Sequence, residues 1–195
     1  MTRGKFITLY GINNIGKSTH ARKLVERLKQ SGHEVVYLKY PIYDLEPTGP
    51  ELNRILRGDQ PQKINEEQLQ TLFMQNRQDF EPELRQMLDE GKIVVAEDYT
   101  GTGIAWGMAK GVDQKWLETL NAPLLKEDFA ILLTGKRDLR ARETQHLHEQ
   151  NDELVQKVAD ILLHLAKTSD WKIIQTQTEI NETAKIIWET IRSEL

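Results

Sequence analysis

The sequence predicts an α/β chain in which about five short parallel strands form one sheet with helices on both faces. Two observations predict it. Apolar runs of strand length recur at Phe6–Tyr10, Val35–Leu38, Ile93–Ala96, Ala130–Leu133 and Trp171–Ile174, too continuous for strands with a wetted face. Amphipathic segments stand between them, so consecutive strands are joined by crossovers rather than hairpins.

In chain order, Phe6–Tyr10 is the first strand, and Ser18–Gln30 follows with Ala21, Leu24, Val25 and Leu28 on one helical stripe. Val35–Leu38 is the second strand. Tyr40–Gln62 holds four of the six prolines and reads as a loop. Asn65–Leu88 puts Leu69, Leu72, Phe73, Phe80, Leu84 and Leu88 on one helical face, and Ile93–Ala96 is the third strand. Ala130–Leu133 is the fourth. The charged, irregular segment 135–151 is a candidate lid, followed by the fifth strand, Trp171–Ile174, and a helix over Ile180–Ile191. With 195 residues, no repeat and no low-complexity tract, residues 1–195 are expected to form a single domain.

Composition excludes several classes of function. Lys and Arg total 26 against 30 Asp and Glu, a formal charge of -4, so there is no general attraction to nucleic acid or to an anionic membrane surface. No cysteine is present, which removes disulfides, zinc–thiolate sites and thiol catalysis. The longest apolar runs are about five residues, where a membrane span needs about 20. No targeting segment is visible at the N-terminus. A cytoplasmic protein with a small anionic ligand, and no nucleic acid or membrane partner, is the expectation. The five histidines make no metal-binding spacing.

Gly11-Ile12-Asn13-Asn14-Ile15-Gly16-Lys17-Ser18 matches G-x-x-x-x-G-K-[ST], directly after the first strand and before the first helix. The glycines let consecutive amides turn inward on phosphate oxygens. Lys17 would neutralise the outer phosphates, Ser18 would hold Mg²⁺, and the helix would aim its positive end at the same point. The pattern indicates a P-loop NTPase fold with a nucleoside triphosphate bound by Gly11, Asn13, Asn14, Ile15, Gly16, Lys17, Ser18 and Thr19. Phe73 and Arg77 stand four apart on a helix, offering an aromatic face and a guanidinium on one side. Phe73 also fits a core position.

Further motifs carry a resemblance. Glu97-Asp98-Tyr99 with Thr102-Gly103-Ile104-Ala105-Trp106, Leu72-Phe73-Met74-Gln75-Asn76-Arg77 and Leu45-Glu46-Pro47-Thr48-Gly49 resemble segments of the thymidylate kinases, P-loop nucleoside monophosphate kinases, in the same order. The resemblance implies transfer of the γ-phosphoryl group of ATP to dTMP, with Mg²⁺ as cofactor. It implies Lys17, Glu97 and a lid arginine, Arg142, as catalytic residues, and Ser18 and Glu97 as metal ligands. Phe73, Arg77, Tyr99 and Trp106 would bind the acceptor, with Arg77 on its phosphate. A homodimer is implied as well.

Three positions depart from the family pattern. Asp98 and Leu45 stand where the family carries arginines, and Asn13 stands where its loop carries an acidic residue or a relative of it. Lost cations need replacement in a site that assembles several phosphate charges. Arg137, Arg140 and Arg142 of the lid, and Arg54 and Arg57 after the proline-rich loop, are the candidates. Two alternatives follow from the departures: a deoxynucleoside kinase using Glu97 as base, and a degenerate kinase that binds ATP without turnover.

Overall fold

A computed structural model describes residues 3–58, 63–137 and 151–195. Five parallel strands, β1 (Phe6–Tyr10), β2 (Val35–Lys39), β3 (Ile93–Glu97), β4 (Phe129–Thr134) and β5 (Lys172–Gln175), lie in the order β2-β3-β1-β4-β5. Phe6 pairs with Val94 and Ile7 with Phe129, so β1 is central and flanked by β3 and β4. The chain crosses to one side of β1, returns, and leaves on the other. That reversal is where parallel α/β sheets open a crevice at the strand carboxyl ends.

Helices α1 (Lys17–Gln30) and α7 (Ile180–Ile191) share a core with one sheet face through Ile7, Leu9, Leu24, Leu28, Ile187 and Ile191. The other face meets α3 (Glu66–Asp89), α4 (Thr100–Ala109) and α6 (Asp152–Thr168) through Phe6, Tyr10, Leu84, Trp106 and Leu162. β1 and β3 are buried at every position, whereas edge strand β2 is mostly half-buried and β5 mostly exposed.

The expected loop over Tyr40–Gln62 contains a helix, α2 (Thr48–Arg57). Pro50 falls in its first turn, where a missing amide hydrogen costs nothing. Leu52, Ile55 and Leu56 then pack against Leu69 and Phe73 of α3. Helices α4, α5 (Gln114–Asn121) and α6 add to those the periodicity indicates. α4 has glycines at 101, 103 and 107, poor helix formers. Packing overrides that preference, since a Cβ at Gly101 would collide with the Trp171 ring and one at Gly107 would stand 2.8 Å from Leu117. Among the described residues no helix is long and apolar enough to cross a membrane.

Candidate active site

The β1–α1 loop is shaped by backbone angles that few residues adopt. Gly11 has φ 150°, and a Cβ on it would stand 2.9 Å from both Ile15 Cγ2 and the Leu133 carbonyl oxygen. Asn14 and Gly16 are left-handed at φ 65° and 97°. α1 begins at Lys17 without a side-chain cap, which leaves its first amides for an anion. Lys17 Nζ folds back to donate to the Gly11 and Ile12 carbonyls at 2.8 and 3.2 Å, and stands 3.7 Å from Asp98 Oδ1.

The end of β3 supplies the carboxylates. Glu97 is 1% exposed; its Oε2 accepts from Ser18 Oγ at 2.7 Å and stands 3.9 Å from Lys39 Nζ. Its Oε1 accepts from the Tyr37 hydroxyl. Burial and this bond push the Tyr37 phenol well above its ordinary pKa, so it remains a donor. Asp98 follows at φ 57° and accepts from Thr102 Oγ1 at 2.8 Å.

These groups border a cavity of about 520 Å³ that gathers residues from the carboxyl ends of all five strands. The loop residues Asn13, Asn14, Ile15, Gly16, Lys17, Ser18 and Thr19 line it, as do Glu97, Phe73, Arg77 and Trp106. Gly11 contributes its carbonyl to Lys17 rather than a wall. Phe73 takes both expected parts, facing the cavity while packing in the α2–α3 cluster.

Arg77 is 4% exposed, with Nη1 donating to Asn121 Oδ1 at 3.3 Å and its guanidinium 5.9 Å from the ring centroids of Phe73 and Tyr99. It makes no ion pair among the described residues, and its Nε has no hydrogen-bond partner. Burial pulls its pKa below the usual arginine value, against smaller opposing pulls from the nearby tyrosines and Asp98.

One expectation is corrected. Tyr99 does not wall the cavity: it is fully buried, edge-on to Phe6 with centroids 5.0 Å apart and tilted against Tyr40 at the same distance. A chain entering α4 from a buried strand turns this side chain into the core. Leu45, at the family's arginine position in the motif, packs against that core, and the cavity wall here is Tyr40, Pro41 and Tyr43.

Arg140 and Arg142 lie outside the described residues. Arg137 donates from Nε to the Asn13 carbonyl at 3.2 Å and from Nη1 to Asp152 Oδ1 at 2.9 Å, tying the loop to the start of α6. Arg54 pairs with Glu51 on the surface, while Arg57 lines the cavity with its guanidinium 4.8 Å from the Tyr43 ring centroid. Sequence reasoning missed Lys39, Gln70 and Lys136, which also line the cavity. For Lys39 a signal existed, since it ends a strand of a parallel sheet.

A phosphate-binding loop joined to a hydroxyl–carboxylate pair, opening on one cavity of a parallel sheet, defines a P-loop nucleotide-binding protein. A family model described as thymidylate kinase matches residues 9–187, and the chain belongs to that family. It is 30% identical over 207 aligned residues to the probable thymidylate kinase of Pyrococcus horikoshii, covering 99% of this chain and 98% of the relative. It is 27% identical to the thymidylate kinase of Arabidopsis thaliana over 191 residues, covering 97% of this chain and 71% of the plant protein. The solved structure of thymidylate kinase from Candida albicans superposes with a TM-score of 0.82 at 23% identity, over 98% of this chain and 92% of the other. The likeness of fold extends across the sheet and both helical layers.

Proposed function

We infer that the chain transfers the γ-phosphoryl group of ATP to dTMP, giving ADP and dTDP. The observation that carries this reading is a single cavity lined both by the phosphate loop and by Phe73, Arg77 and Trp106. A phosphate oxygen of dTMP forms the new P–O bond as the bond from the γ-phosphorus to the β–γ bridging oxygen breaks. The acceptor is already an anion, so positioning and charge neutralisation suffice without a general base.

Lys17 and the loop amides hold the donor phosphates. Ser18 and Glu97 fit Mg²⁺, which takes oxygen ligands and keeps water and nucleotide oxygens in its shell. Among the described residues no group of three or more His, Asp or Glu side chains could hold a metal unaided, in keeping with an ion that arrives with the nucleotide. Bound there, Mg²⁺ would neutralise charge on the β- and γ-phosphates.

Arg77 sits among aromatic rings beside Gln70 and Gly103, surroundings that suit the edge of a base rather than a phosphate. Lys39 and Arg57 are the cations for the acceptor phosphate, taking the part of the arginines absent at 98 and 45. Arg142 is the proposed lid contribution at the transition state. Family membership supports a cytoplasmic homodimer.

The test is ADP formation from Mg-ATP with a panel of nucleoside monophosphates and nucleosides, with Lys17→Ala as blank. Selective acceleration by dTMP is expected. No acceleration by any monophosphate overturns the reading.

A further inference from the structure

The floor of the cavity carries a polar arrangement that phosphate transfer does not use. Gln70 is 1% exposed on α3, on the face it shares with Phe73 and Arg77 at spacings of three and seven. Its Nε2 donates to Glu66 Oε1 at 2.8 Å, and Lys110 Nζ donates to Glu66 Oε2 at 2.9 Å. A carboxylate paired with a lysine only accepts, so the nitrogen of the amide must face Glu66. Its oxygen must then face away from Glu66.

Gly103 locates that oxygen. A Cβ on Gly103 would stand 3.1 Å from Gln70 Oε1 and 3.0 Å from Arg77 Nη2. An acceptor and a guanidinium donor therefore stand together where α4 has no side chain, in a cavity that Phe73 and Trp106 also line. Gln70 Oε1 accepts no hydrogen bond among the described residues, and Arg77 donates only one, to Asn121.

We propose that Gln70 is a specificity-determining residue that reads the imide edge of the pyrimidine: its Oε1 accepts the N3–H while Arg77 donates to the adjacent ring carbonyl. Glu66 and Lys110 are positioning residues that keep the amide from turning over. Thymine and uracil match this pair donor for acceptor. Cytosine sets its bare N3 against Oε1 and its amine against the guanidinium, so both contacts become repulsive. A site built to hydrogen-bond one edge rejects the wrong edge strongly, because its buried groups are left unpaired. The inference rests on the dTMP reading above and adds how its base is chosen.

The experiment compares kcat/KM for dTMP, dUMP, dCMP and 3-methyl-dTMP in the unmodified protein, in Gln70→Ala and in Glu66→Gln. The unmodified protein is expected to prefer dTMP over dCMP and over 3-methyl-dTMP by at least about a hundredfold. Gln70→Ala should compress the preference over 3-methyl-dTMP by about tenfold or more, by admitting the methyl group as it loses the N3–H contact. Glu66→Gln lets the amide turn over, and should compress the dTMP to dCMP ratio by about tenfold, an effect that general loosening of the fold would not produce. Turnover of 3-methyl-dTMP within about threefold of dTMP by the unmodified protein overturns the proposal without any variant, as do unchanged ratios in Glu66→Gln. Failure of the kinase reading looks different: no monophosphate then accelerates ADP formation, and this inference falls with it.

Discussion

Lys17 Nζ stands 3.7 Å from Asp98 Oδ1, so the cation that would meet ATP is drawn towards a carboxylate at the end of β3 as well as to its own loop carbonyls. Both side chains are largely buried, so the attraction is only weakly screened. Nucleotide phosphates bound at this loop would compete with Asp98 for the lysine. Asp98→Asn is therefore expected to lower the KM for ATP by about three- to tenfold, or about 0.7–1.4 kcal/mol, with a smaller change in kcat. ATP titrations at saturating dTMP check this, and an unchanged KM would show that the pair does not compete.

Glu97 receives the Ser18 hydroxyl on one oxygen and the Tyr37 hydroxyl on the other. Glu97→Gln removes the anion while keeping the shape. The expected result is a loss of at least about a hundredfold in kcat and a higher Mg²⁺ requirement. Tyr37→Phe leaves the carboxylate in place, and is expected to cost about tenfold or less. Activity measured across a Mg²⁺ series separates the two.

His20 is buried on α1 beside Gly16, and its Nδ1 has no hydrogen-bond partner. Desolvation, with a smaller push from Lys23, holds its pKa below the ordinary 6.5. Between the folded and unfolded pKa values the unfolded chain binds more protons, so stability rises with pH in that window. The contribution is whole above pH 6.5 and is lost as pH falls towards the folded value. His20→Gln should reduce the difference in urea unfolding free energy between about pH 7 and pH 5, and an unchanged difference would assign the acid sensitivity elsewhere.

Gly101 faces Trp171, whose ring stacks on Tyr10 with centroids 4.2 Å apart. Tyr10 in turn donates to Glu127 at 2.7 Å. A methyl group at 101 must displace this stack. Gly101→Ala should destabilise the fold by about 1–3 kcal/mol despite the better helix propensity of alanine, as thermal or urea unfolding would read.

The five strands and the phosphate loop were legible because their signals are local: short apolar runs, and glycines at fixed offsets before a lysine and a serine. α4 was not, since Gly101, Gly103 and Gly107 argue against helix locally and find their reason only in Trp171, Arg77 and Leu117. α2 was hidden by Pro47 and Pro50, which mark a loop equally well as a helix start. In the site, Ser18 and Glu97, both expected at a metal, stand within hydrogen-bond distance of each other. Lys39 was legible only from its place at a strand end, while Gln70 was invisible because nothing in its neighbours distinguishes it from a solvated helical glutamine. Tyr99 was misread because an aromatic beside a motif does not reveal which way its side chain turns.

Every strand of the sheet points its carboxyl end at the cavity, which divides the molecule into a working rim and a quiet one. The connections at the opposite rim, residues 31–34, 90–92, 122–128 and 169–171, contribute nothing to the cavity wall. Length changes or new chain ends introduced at exposed points such as Gly32, where a Cβ would meet no atom within 4 Å, leave the strand register and the chemistry across the sheet untouched. Labels and tethers thus have a natural place on this protein, one sheet-length away from the cavity.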